Sequence, residues 1–312
     1  MKTLFALFMT IVCACAAHAQ QADFKVTLLG TGSPPPILKR FGPAVLVQAG
    51  KETLLIDCGR GCTQRLAQSN VKLGAIDALF ITHLHSDHIV GIPDLWLTGW
   101  LDSPFGTRAQ PLKVWGPAGS KAMMENMQKT FQWDIDTRVA DQNLSRSAAG
   151  INATEIAPGV IYERNGVKVS AIEVDHGDLI KPTFGFRIDY DGRSVVVSGD
   201  TRFSENLIKH ATGVDLLIHQ VAMAKEELIA RSDRVRTILA HHTKPHEAGT
   251  VFARAKPKLA VFYHISLQGD PGTPAPTEKD VEDATRTTYA GPLVLGEDMM
   301  VFVIGKDGVT RQ

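Results

Sequence analysis

Between Thr82 and His88 the chain reads THLHSDH, three histidines and an aspartate within seven residues. Imidazole nitrogens and carboxylate oxygens are ligands suited to zinc, iron(II) or manganese. His83 and His85, two apart on an extended loop, can face the same ion. Asp87 and His88 open the next helix and diverge, which suits a second ion. The chain has 11 histidines in 312 residues, and a chance H-x-H-x-D-H has odds of roughly one in a thousand. The motif therefore has weight only if the rest of the chain supplies partners for it.

Partners come from the ends of apolar runs. ALFITH delivers His83, AIEVDH His176, VVVSGD Asp200, LAVFYH His264, LLID Asp57 and DLLIH His219. Loops at strand ends are where sites are built on rigid scaffolds. A pair of ions needs about seven protein ligands with one carboxylate shared. The candidates are His83, His85, Asp87, His88, His176, Asp200 and His264.

Those runs are strands by composition. They are short, several are β-branched, and turn residues bound them. Asn165-Gly166 and Asp191-Gly192 each sit between two runs and predict tight hairpins. Helical patterns fall at about 61–69, 87–101, 119–131, 204–211, 222–231, 246–255 and 278–288. The result is an α/β chain whose hairpins call for mixed sheets.

Composition sets outer limits. Hydrophobic residues make up 44% and charged residues 21%, ordinary for a globular protein. Residues 1–19 read as a cleaved signal peptide: Lys2, an apolar core from Leu4 to Val12, then Ala17-His18-Ala19. Cys15 leaves lipoprotein anchoring as a rival. Residues 20–312 then form one domain, periplasmic or secreted, without a membrane-spanning run. Cys58 and Cys62 are the only cysteines after the leader, and two buried thiols are favoured over a disulfide. The formal net charge is zero, with no basic excess of the kind nucleic-acid binders carry.

The motifs LLGTGSP, LLIDCGRG with TQRL, ITHLHSDHIVGIPDL, PLKVWGPAG, VDHG, SGDTRFSENL, DLLIH, HTKPHEAG and VFYHIS together resemble the metallo-β-lactamase-fold hydrolases, in their ribonuclease Z and arylsulfatase-like branch. The resemblance covers nearly all of the chain beyond the leader. It implies a four-layer αββα sandwich of two mixed β-sheets with metals at one edge. It implies that His83, His85 and His176 hold one ion, that Asp87, His88 and His264 hold the other, and that Asp200 bridges. Asp57 matches the carboxylate that steadies the histidine loop. Asp87 and His242 are the implied catalytic residues, His242 facing the leaving group, while His241 and His246 have no match. Where ribonuclease Z relatives read His-Glu, this chain has His219-Gln220, so Gln220 is expected beside His242 as a weaker support for its protonated form.

The function so implied is a dinuclear hydrolase of small sulfate or phosphate esters, arylsulfatase-like, with a hydroxide shared between two divalent ions as nucleophile. Zinc is the first choice of metal, and manganese or iron would fit. Only 23 residues separate His176 from Asp200, filled by one hairpin with no room for an extended tRNA-binding arm. On that ground and on charge, tRNA is not expected as a partner, while a homodimer is compatible. The alternatives are a ribonuclease Z-type phosphodiesterase, a lactone or β-lactam hydrolase, and a non-enzymatic metal-binding protein.

Overall fold

A computed structural model describes residues 23–312. The expected signal peptide and Cys15 lie outside the described residues. Six strands come first: β1 (Phe24–Gly30), β2 (Ala44–Ala49), β3 (Glu52–Ile56), β4 (Ala78–Phe80), β5 (Leu112–Gly116) and β6 (Ile151–Glu155). Seven more follow: β7 (Gly159–Arg164), β8 (Val167–Val174), β9 (Thr183–Tyr190), β10 (Arg193–Val197), β11 (Leu216–Ala224), β12 (Leu259–Gln268) and β13 (Leu293–Leu295). The chain then returns to the first sheet with β14 (Val301–Ile304) and β15 (Val309–Arg311).

The first sheet has the order β15-β14-β1-β2-β3-β4-β5-β6 and the second β13-β12-β11-β10-β9-β8-β7. Each mixes parallel and antiparallel pairs, as the hairpins require. Asn165-Gly166 and Asp191-Gly192 take left-handed φ at both positions, the backbone of a two-residue hairpin turn between twisted strands.

The sheets face each other across a core that includes Val26, Leu54, Phe80, Phe186, Ile218 and Val261. The outer faces are covered by helices, completing the αββα sandwich. On the first sheet these include α1 (Cys62–Gln68), α3 (Ile92–Trp100) and α4 (Ser120–Thr130), which bury Leu66, Trp96 and Met124. Between α1 and α3 lies the one-turn α2 (Ser86–Ile89), and after α4 comes α5 (Gln132–Gln142). The second sheet is covered by α6 (Glu205–Ala211), α9 (Pro245–Ala255) and α10 (Glu278–Arg286), burying Leu207, Phe252 and Val281. A short pair, α7 (Glu226–Arg231) and α8 (Asp233–Ala240), packs beside β11 through Leu228, Val235 and Leu239. Each such large apolar side chain, fully buried, contributes about 1.5–3 kcal/mol.

Two predicted helices differ from the structure. The expected 87–101 helix splits into α2 and α3 around Gly91, which sits against the Gly59 and Cys58 carbonyls where a Cβ would not fit, and Pro93 begins the second piece. The predicted 222–231 helix starts only at Glu226, because β11 stays paired to β12 as far as Ala224. Strand pairing there overrides local propensity. Cys58 and Cys62 are free and buried.

Candidate metal centre

Strands β4, β8 and β10 end at the site, and the loops beyond them, with one residue of β12, bring the His and Asp side chains together. His83 follows β4, and His85 precedes α2, whose first turns carry Asp87 and His88. His176 follows β8, Asp200 follows β10, and His264 comes from β12 itself. In β12 the pairing with β11 slips between Gln220 and Val221, so His264 is an extra, unpaired residue. Its φ of 43° is left-handed. A bulge of this kind re-aims a side chain out of the strand's alternation, and here it turns His264 to the sheet edge.

The donor atoms fall into overlapping groups lying within 4.8 Å of one another: His83, His85 and His176; His83, His88 and Asp200; Asp87, His88 and His264. Asp200 is the hub. Its Oδ2 is 3.2 Å from His264 Nε2, 3.6 Å from His88 Nε2 and 3.8 Å from His176 Nε2. His242 Nε2 stands 3.4 Å from the same oxygen, so His176, Asp200 and His242 make a further group.

The outward nitrogens of three rings are already committed. His88 Nδ1 donates to Asp57 at 2.7 Å, His83 Nδ1 lies 3.0 Å from the Thr82 hydroxyl, and His176 Nδ1 donates to the His241 carbonyl at 2.9 Å. Such bonds fix the ring so that Nε2 faces inward. His83 Nε2, His88 Nε2 and Asp200 Oδ1 are buried without a protein hydrogen-bond partner. Buried polar atoms rarely stay unpaired, and this donor set fits divalent cations.

Charge points the same way. Burial pushes His83 well below the usual imidazole range and His176 down to about 4, so both are neutral, the form that ligates metal. His88 is also buried, which would lower it, yet Asp57 and Asp200 raise it well above that range. Asp57, Asp87 and Asp200 together create a demand for positive charge that bound cations would meet.

Asp57 takes a left-handed φ of 57° and accepts three bonds, from the Thr82 backbone and hydroxyl and from His88. It thereby locks both ends of the THLHSDH loop. His219, at the end of another apolar run, is not in the cluster. It is fully buried, donates from Nδ1 to the Gln220 carbonyl, and packs on the Phe252 ring.

One expectation needs correction. Gln220 does not support His242: its amide donates to the Thr201 carbonyl at 2.7 Å, while His242 Nδ1 donates to the Ile238 carbonyl at 2.7 Å. Burial opposes the charged form of His242, but Asp200 outweighs it and raises the imidazole above its ordinary value. The support expected from position 220 therefore comes from Asp200. His241, which has no match in the family pattern, also takes part: its carbonyl orients His176 and its side chain lines the cavity over the cluster.

That cavity, about 290 Å³, is also walled by Pro34, Pro35, Arg234 and Gln268. Sequence reasoning passed over Arg234, which lies on a short helix it did not predict. Pro34 and Pro35 belong to a loop pinned by Asp298, which accepts from the Thr31 and Phe41 backbones.

The family model described as "Anti-Pycsar protein Apyc1" matches residues 24–245. The ribonuclease Z of Mycolicibacterium gilvum is 37% identical over 277 residues, covering 88% of this chain and 94% of that protein. Among solved structures, Bacillus subtilis YhfI, a metallo-beta-lactamase fold protein, matches with TM-score 0.68 at 20% identity, covering 89% of this chain and 98% of that one. The short form of human tRNase Z matches with TM-score 0.64 at 24% identity, covering 89% and 98%. At that identity the two structures speak for the fold alone. The expectation that tRNA is not a partner is overturned by the ribonuclease Z relative. Net charge averages over the whole surface and does not report on a local site.

Proposed function

This chain belongs to the ribonuclease Z branch of the metallo-β-lactamase-fold metallohydrolases and to the family described as Anti-Pycsar protein Apyc1; it is a metal-dependent hydrolase of ester bonds, and from that premise we propose that it cleaves phosphodiesters of ribonucleotides. The observation that carries this reading is the convergence of four imidazoles on one carboxylate, Asp200. His83, His85 and His176 would hold one divalent ion and Asp87, His88 and His264 another, with Asp200 available to both; zinc would be the first choice of metal. The relatives favour phosphodiester cleavage over the sulfate-ester reading, since they carry the name ribonuclease.

Bound divalent cations supply Lewis acidity, polarising phosphoryl oxygens and acidifying water. The chain's own groups do the rest. Asp87, at the cluster beside His264, accepts a hydrogen bond from the attacking water and orients it. His242 lines the same cavity. With Nδ1 tied to Ile238 and Nε2 directed at the cluster, it can give a proton to the departing oxygen. Asp57 and the His241 carbonyl keep the ligand rings in place.

The test is a panel of a precursor tRNA, bis(p-nitrophenyl) phosphate and p-nitrophenyl sulfate, each with and without chelator. Chelator-sensitive turnover of the phosphodiesters, with the sulfate ester slower, supports the reading. Faster turnover of the sulfate ester would reverse it. The leader-like residues 1–19 support action outside the cytoplasm, checked by fractionating cells and sequencing the mature N-terminus. A cytoplasmic protein with Met1 retained would refute that placement.

A further inference from the structure

Among the described residues that wall the cavity over the cluster, Arg234 is the one arginine or lysine. Its neighbours on the same helical pair are engaged: Arg231 pairs with Asp270 at 2.8 Å, and Arg236 pairs with Asp233. Arg234 has no carboxylate within ion-pair distance among the described residues. Its hydrogen bond goes to a neutral acceptor, Gln268 Oε1, at 3.2 Å. Gln268 in turn donates from Nε2 to the Ser266 hydroxyl at 2.9 Å, which turns its carbonyl oxygen toward the guanidinium. Ser266 and Gln268 are two apart on β12, so they share a face, and both line the cavity. The row that begins at His264 thus ends by holding an arginine with spare donors.

Helical spacing sets where that arginine acts. Arg234 and Ile238, four apart on α8, line the cavity together with His242, which lies just beyond the helix end. The guanidinium therefore opens onto the same cavity as the cluster and His242. Its planar fork suits paired phosphate oxygens, and an unpaired guanidinium loses no ion pair when it takes one.

We propose that Arg234 is a specificity-determining residue that binds a second phosphate of the nucleotide chain, next to the one being cleaved. This rests on the phosphodiester reading above and names what that site prefers. A simple diester without a second anion gains nothing from Arg234, whereas a ribonucleotide chain does.

The experiment is calorimetric binding to the zinc-loaded protein of adenosine 3′,5′-bisphosphate, adenosine 5′-monophosphate and adenosine 3′-monophosphate. Wild type is expected to bind the bisphosphate roughly tenfold tighter than either monophosphate, the scale of one charge-assisted phosphate contact. In Arg234→Ala the ratio should fall to about one, and Arg234→Lys should recover part of it. Because Arg234 is exposed, the variants should melt within a degree or two of wild type. An equal ratio in Arg234→Ala, or no preference in wild type, overturns the proposal. Absent turnover of every phosphodiester with the binding ratio still moved by Arg234→Ala would sink the phosphodiesterase reading while leaving the second-phosphate site standing.

Discussion

Asp57 accepts from His88 Nδ1 at 2.7 Å and from the Thr82 backbone at 2.8 Å, so one buried carboxylate sets both the ring and the loop that carries the ligands. Asp57→Asn keeps the shape but removes the charge that makes His88 a strong ligand. Metal affinity should fall about 10–100-fold with the fold intact, read by competition with a chromophoric chelator. Affinity within twofold of wild type would show that Asp57 serves folding alone.

His242 can be read as ligand or as acid, since it forms a group with His176 and Asp200. Its Nδ1, tied to the Ile238 carbonyl, and its Nε2, facing the cluster, suit it to proton transfer. His242→Ala should retain full metal content and lose roughly 10²–10⁴ in rate on an alkoxide leaving group. The loss should be smaller on a nitrophenolate, which leaves without a proton. Loss of a metal equivalent, or equal losses on both substrates, would make His242 a ligand.

Gln220 is fully buried and bonded to Thr201 rather than His242. The Thr201 carbonyl also accepts from the Thr243 hydroxyl at 2.8 Å. A carboxylate at 220 would face that carbonyl without a donor. Gln220→Glu should cost about 3 kcal/mol or more in urea unfolding and leave the leaving-group dependence unchanged. A stable variant with a flatter dependence would restore the pairing that the sequence suggested.

Much of the site was legible because metal chemistry constrains residue type locally. H-x-H-x-D-H and the strand-end His and Asp residues needed no tertiary information. The α/β class with mixed sheets followed from short apolar runs and the Asn-Gly and Asp-Gly turns, whereas the four-layer sandwich was what the family resemblance implied. What stayed hidden depends on through-space neighbours. Nothing in HHTKPHEAG shows that the His241 carbonyl orients His176, and nothing in VFYHIS shows that His264 is a bulge residue. Likewise α8 is short and mostly exposed, with Val235 and Leu239 its buried apolar pair, too weak a period to stand out, and Arg234 was missed with it.

Burial holds the His219 imidazole down to about 4, despite its bond to the Gln220 carbonyl. Folded, it stays neutral, while in the unfolded chain it takes a proton below about pH 6.5. Its contribution to stability is therefore complete above pH 6.5 and lost as pH falls toward 4, on the order of 3 kcal/mol in full. His219→Phe should reduce the difference in unfolding free energy between pH 7 and pH 4.5, measured on chelator-treated protein. An unchanged difference would mean that His219 is accessible to protons when folded.

The central claim is that the Asp200 cluster holds two cations that act together on a phosphodiester. Its most direct test is to strip the protein of metal, add zinc back in steps, and follow hydrolysis of bis(p-nitrophenyl) phosphate. The account predicts that activity climbs to a plateau at two equivalents per chain, and that Asp200→Ala shows no such rise. A plateau at one equivalent, or activity in the stripped protein equal to the loaded one, would contradict it.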